Sequence, residues 1–129
     1  MISSLLIVGV GSFIGGAIRY LLSLFMKNLC GQGFPWGTLS VNLLGCFLFG
    51  IVFAIFSKSS STDSTLYLLL TTGICGGFTT FSTFANESIQ MLQHGNIFGF
   101  IAYVATSVIA GLALIALGYW IVKAIRIFP

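Results

Sequence analysis

Four long apolar runs, separated by three short polar stretches, dominate the hydropathy pattern of the chain. A helix needs about 20 apolar residues to cross the hydrocarbon core of a bilayer, and each run is long enough. The first goes from Leu5 to Phe25 and is closed by Lys27; the second goes from Gly37 to Phe56, closed by Ser57 and Lys58. The third goes from Leu66 to Met91, and the fourth from Ile97 to Val122, closed by Lys123. "CGQGFPWG", "SKSSSTDST" and "QHGN" connect them. Pro35 stands just before the second run, where a helix start tolerates proline. Trp36, Tyr67 and Trp120 fall near run ends, as interfacial aromatics do. The pattern predicts an all-α membrane protein of four transmembrane helices, with residues 1–129 forming one domain.

The third run does not look like the others. Its stretch "TTGICGGFTTFSTFANES", residues 71–88, holds three glycines and a series of hydroxyl side chains. Gly76-Gly77 followed by Thr79-Thr80 disfavours a regular helix at mid-membrane, so an interruption is expected over Gly76 to Thr79. Broken helices at that depth free backbone groups, which is tolerable only where protein or a wet cavity surrounds them. Freed carbonyls can coordinate a cation. Phe78, Phe81 and Phe84 recur every three residues. Aromatic rings have electropositive edges that suit an anion; plain packing is the other reading of such a stripe.

Composition strengthens the membrane reading. Of 129 residues, 57% are hydrophobic and only 5% are charged, where a soluble domain carries about a quarter. The start "MISSLLIVGVG" has no basic region, so no cleavable leader is expected. Cys30, Cys46 and Cys75 are odd in number and widely spaced, which favours small buried apolar residues over disulfides or a metal knuckle. The net charge of +3 comes from isolated lysines and arginines; no basic run points to nucleic acid.

Charge also bears on orientation. Four spans put both termini and the second loop on one side, with Lys58, Lys123 and Arg126. The other side has Lys27, and Arg19 nearer that end of its helix. The positive-inside rule works through a clear excess of Lys and Arg on one face. That excess is missing, which leaves both a fixed and a dual insertion open. Small residues such as Gly11 and Gly15, Gly45 and Gly50, and Gly111 and Gly118 suit close helix packing in lipid. Four thin helices hardly enclose a pathway alone, so an oligomer is expected.

Polar residues inside the runs narrow the chemistry. Arg19 lies about two-thirds along the first run, where a charge is a functional hypothesis by default; snorkelling to the headgroups or a watery vestibule is the milder reading. Thr38 and Asn42 are four apart on one helix face, as are Tyr103, Ser107 and Gly111. Thr79, Ser82, Thr83 and Asn86 share a broad face of the third run, with Thr80 and Glu87 at its edge. Any one of these serves equally well as interhelical glue. Together they resemble a donor-lined path for a small solute, without the carboxylate cluster that favours a cation. His94 reads as an ordinary loop residue, and no set of side chains suggests an enzyme.

"GGFTTFSTF", with "GTLSVNLLG" in the second run and "GGAIRYLLS" in the first, resembles the Fluc (CrcB) family of fluoride channels over essentially the whole chain. The resemblance implies an antiparallel, dual-topology homodimer in the bacterial inner membrane that exports fluoride passively through two pores. It implies a third helix broken at its centre, with a structural sodium ion held by the carbonyls of Gly76 and Thr79. On the fluoride path it puts Phe81, Phe84, Asn42, Thr38, Thr80, Ser82, Thr83, Tyr103, Ser107 and Glu87, with Arg19 near a vestibule. Gly111 departs from the serine frequent in the family, and Phe78 takes a place often aliphatic, which leaves it as packing. A small proton-coupled four-helix exporter is the alternative; it needs a deep carboxylate, and Glu87 lies toward the end of the third run. A non-conducting structural subunit is the other rival.

Overall fold

The computed structural model describes residues 1–57 and 64–127; Lys58 and Asp63, in the polar second loop, lie outside the described residues. Four helical spans, each long and apolar enough to cross a membrane, make up the chain. The first is α1, Ile2–Cys30, and the second α2, Trp36–Phe56. The third is a composite: α3, Thr65–Leu68, a π-helical stretch Leu69–Cys75, α4, Gly76–Phe78, and α5, Phe81–Gln93. The fourth is α6, Ile97–Ile127. The outer spans run past their apolar runs because nothing in "MKNLC" or "KAIRI" breaks a helix once it is started. At the end of α1, Gly31 adopts φ +80°, a conformation open to glycine, and its N–H bonds to the Lys27 carbonyl at 3.0 Å.

Side chains set the remaining boundaries. Ser64 accepts a bond from the Tyr67 N–H and starts α3. Asn96 accepts from the Gly99 N–H at 2.9 Å and opens α6. At the opposite end, the Arg126 guanidinium donates to the carbonyls of Ala54 and Ile55, at 3.4 and 2.9 Å. The last turn of α2 is thereby tied to the last turns of α6, and the charge sits where the helix dipole favours it.

Two close pairings build the bundle. α2 lies along α6, with Gly50 against the Ile115 backbone and Gly118 against Phe47. α1 lies along the π-helical stretch and α4. There Gly11 meets Gly73, Gly15 meets Ile74, and Gly77 meets Ser12, backbone on backbone. A side chain at Gly15 would strike the Ile74 carbonyl, which has no room to move. Gly15→Val is therefore expected to destabilise the fold by about 1–3 kcal/mol through overpacking. Thermal unfolding of the purified protein in detergent checks this, with the same substitution at the open position Gly9 as the neutral comparison.

The break in the third span differs from the sequence expectation. Gly76 is helical, at φ −63° and ψ −38°, and the double glycine lies within α4. The chain instead becomes extended at Thr79, ψ 156°, and Thr80, φ −146° and ψ 121°. Gly77 serves packing, since it lets α4 press on Ser12 of α1. The β-branched threonines, which tolerate extended backbone, carry the interruption. Beyond it, α5 leaves α1 and leans on α6, so the two halves of the third span belong to different parts of the bundle.

A broken helix between two cavities

The break is held from the side by α2. The Asn42 side-chain amide donates to the Thr80 carbonyl at 2.9 Å and accepts from the Thr80 N–H at 2.8 Å. The Thr80 hydroxyl accepts from the Thr83 N–H at 3.4 Å, capping α5, and donates to the Thr83 hydroxyl at 3.0 Å. Thr79 turns its own hydroxyl back to the Cys75 carbonyl at 3.0 Å. Its methyl group lies where a side chain at Gly45 would go, so Gly45 is what lets the break approach α2.

These bonds have a consequence for the carbonyls of Gly76 and Thr79. In an unbroken helix the Gly76 carbonyl would accept from the Thr80 N–H, and the Thr79 carbonyl from the Thr83 N–H. Here the first donor goes to Asn42 and the second to the Thr80 hydroxyl. Gly76 and Thr79 also line one cavity, of about 300 Å³, together with Gly45, Cys46, Phe49, Cys75 and Ile115. Two carbonyl oxygens that have lost their helical donors suit a hard cation, which prefers oxygen ligands.

A second cavity, of about 610 Å³, lies on the other side of the break. Lys27, Phe34, Thr38, Thr83, Glu87 and His94 are among its walls. The Thr38 hydroxyl donates to Glu87 Oε1 at 2.6 Å, the short distance of a bond to a carboxylate. His94 is exposed; its Nδ1 lies 2.7 Å from the Gln90 carbonyl at the end of α5.

Between cavity and break stands a row of aromatic rings. Phe81 and Phe84 have centroids 5.8 Å apart. Phe84 meets Tyr103 edge to face at 5.0 Å, and Tyr103 meets Phe34 likewise at 5.5 Å. Tyr103 is fully buried, and among the described residues neither its hydroxyl nor the buried Ser107 hydroxyl one turn along α6 makes a well-formed hydrogen bond, with the Thr38 hydroxyl beside that of Tyr103. Buried hydroxyl groups in apolar surroundings normally find a partner, so a pair of adjacent orphans on one helix face marks a place where a ligand or water is expected.

The residues singled out in the sequence therefore fall into groups. Thr38 joins Glu87, Asn42 joins Thr80, and Phe81, Phe84 and Tyr103 form one aromatic row. Ser82 is exposed on α5, apart from the others. Arg19 is half-buried, its Nε has no hydrogen-bond partner among the described residues, and it is not among the residues lining the larger cavity. Phe78 is 5% exposed and packs beside Gly45. At Gly111 a side chain would meet the Cys46 sulfur at 3.4 Å, so the cysteine takes up the space beside that position. Sequence reasoning missed Phe34, which closes the aromatic row from the first loop; three bulky residues in "FPW" within a short connection were the available signal.

Comparison with known proteins gives the family. The family CrcB-like protein, Camphor Resistance (CrcB), matches residues 6–119. A protein of Leptospira interrogans named fluoride-specific ion channel FluC is 45% identical over 120 residues, covering 93% of this chain and 94% of its own. Proteins of the same name from Phocaeicola vulgatus and Chlorobium phaeobacteroides are 43% and 42% identical. They cover 91% and 94% of this chain, and 96% and 94% of their own. With an apolar four-span fold, a third span broken at two threonines and a family match over nearly its whole length, the chain belongs to the CrcB family.

Proposed function

We propose that the protein is a fluoride-specific channel through which the anion leaves the cytoplasm down its own gradient. The observation that carries this reading is the pair of buried hydroxyls, Tyr103 and Ser107, that make no well-formed hydrogen bond among the described residues, beside the edge-packed Phe84. The names of the relatives give the halide its identity. Fluoride is small and strongly hydrated, so a pathway must replace water with donors and positive ring edges. Conduction further requires several moderate sites in series rather than one tight one. Phe81, Phe84, Tyr103 and Ser107 supply such a series. Thr38, Thr83 and Glu87 line the wet approach, and Arg19 adds positive potential on the same span as Lys27.

The working unit of this proposal is an antiparallel homodimer. Support comes from α5, where Ser82, Thr83 and Asn86 carry polar groups at membrane depth and the Phe81 ring is 78% exposed. Hydroxyls and amides facing lipid are costly, and a second copy would cover them. The near balance of lysines and arginines between the two sides suits insertion both ways round. A structural sodium ion completes the proposal, held by the Gly76 and Thr79 carbonyls of both subunits. When bound it would supply a fixed positive charge at the centre of the assembly. The inner membrane of a bacterium is the expected location, as the relatives are bacterial.

Efflux from liposomes containing the purified protein tests the reading, followed with fluoride and chloride electrodes. Rapid fluoride release without a proton gradient, with negligible chloride release, is the expected result. Release that stops when the proton gradient is removed would turn the assignment to a coupled exporter.

A further inference from the structure

We infer that Asn42 is the positioning residue that keeps the third span open, and that through it α2 governs cation binding at the break. This rests on the proposed cation site at Gly76 and Thr79. An extended Thr79-Thr80 pair is not self-sustaining. If the span rewound, the Thr80 N–H would return to the Gly76 carbonyl, as in any α-helix, and the proposed ligand would be lost. Asn42 prevents this by taking both backbone groups of Thr80, at 2.8 and 2.9 Å.

Among side chains, only a primary amide offers a donor and an acceptor in the arrangement of a peptide group. Asn42 therefore replaces, at membrane depth, the strand neighbour that an extended residue would otherwise need. Gly45, three residues on and on the same face of α2, makes room for Thr79, so the surface of α2 is shaped for the break at two successive places. One N–H of the Asn42 amide remains beyond the bond to Thr80, so a donor toward the anion is compatible with this role. The cation site and the anion path then meet at a single side chain.

The experiment is thermal unfolding of the purified full chain in detergent, titrated with sodium chloride against N-methyl-D-glucamine chloride at constant ionic strength. A ligand that binds the folded state raises the midpoint as its concentration grows. The wild-type midpoint is expected to rise with sodium. Asn42→Leu is expected to need about tenfold more sodium for the same rise, the cost of returning one buried hydrogen bond to the helix. Asn42→Ala serves in the same way should the leucine variant fail to fold.

A leucine or alanine variant that melts lower but keeps the wild-type sodium response overturns the role of Asn42, because simple loss of packing affects both salts equally. A wild type with no sodium response overturns the cation site itself, and this role with it.

Discussion

Phe84→Ile is expected to slow fluoride efflux by about a hundredfold while the protein still assembles. Phe84 stands inside the aromatic row: it packs beside Phe81 on one side and turns edge to face on Tyr103 on the other. Isoleucine matches much of its volume, so the packing of α5 on α6 should survive. What disappears is the electropositive ring edge. An anion stripped of water has few other contacts there, and losing one that matters in the barrier region at about 2.7 kcal/mol gives this factor. Electrode traces from liposomes measure it, with gel filtration to confirm assembly. Efflux at the wild-type rate in an assembled variant would remove the rings from the path.

Tyr103→Phe is expected to slow efflux by about tenfold. This change is gentler and more pointed, since it deletes a single oxygen and keeps both aromatic contacts, to Phe84 and to Phe34. The hydroxyl makes no well-formed hydrogen bond within the described residues, and Thr38 beside it keeps its own bond to Glu87, so its removal orphans nothing and the folded state should be about as stable. A slower rate would then report only a donor withdrawn from the passing anion, on the scale of one hydrogen bond, about 1–1.5 kcal/mol. Efflux and melting temperature together check this. A lowered melting temperature with unchanged efflux would mean that the hydroxyl is structural.

Much of this architecture is legible in the residues because the membrane leaves so few solutions. Apolar length alone places four spans, and a polar, glycine-rich third run declares that it is not a plain helix. The point of the break was not legible. The residues mark Gly76 to Thr79 as the weak stretch, but the glycine pair stays helical, with Gly77 pressed against Ser12 of α1, and of that stretch only Thr79 lies in the break. The extended conformation falls on Thr79 and Thr80 because Asn42 and Gly45 lie opposite them, and no local signal reports what stands opposite. The same reason hides the bond between Thr38 and Glu87, 49 residues apart. Face-sharing on a single helix was readable for Tyr103 and Ser107; how their hydroxyls are met was not, since it depends on what α2 and α5 place opposite them.

The open side of α5 has a kinetic corollary. On the proposed homodimer, a path with one wall turned outward, as the 78% exposed Phe81 is, would conduct nothing until a second copy closes it. Activity in vesicles should then follow the square of chain density at high dilution, where most chains are alone, and become linear once pairs dominate, because an obligate pair has no stability independent of concentration. Within a cell, an inert variant made alongside the normal chain would draw it into mixed pairs and silence far more conduction than its own share of the population.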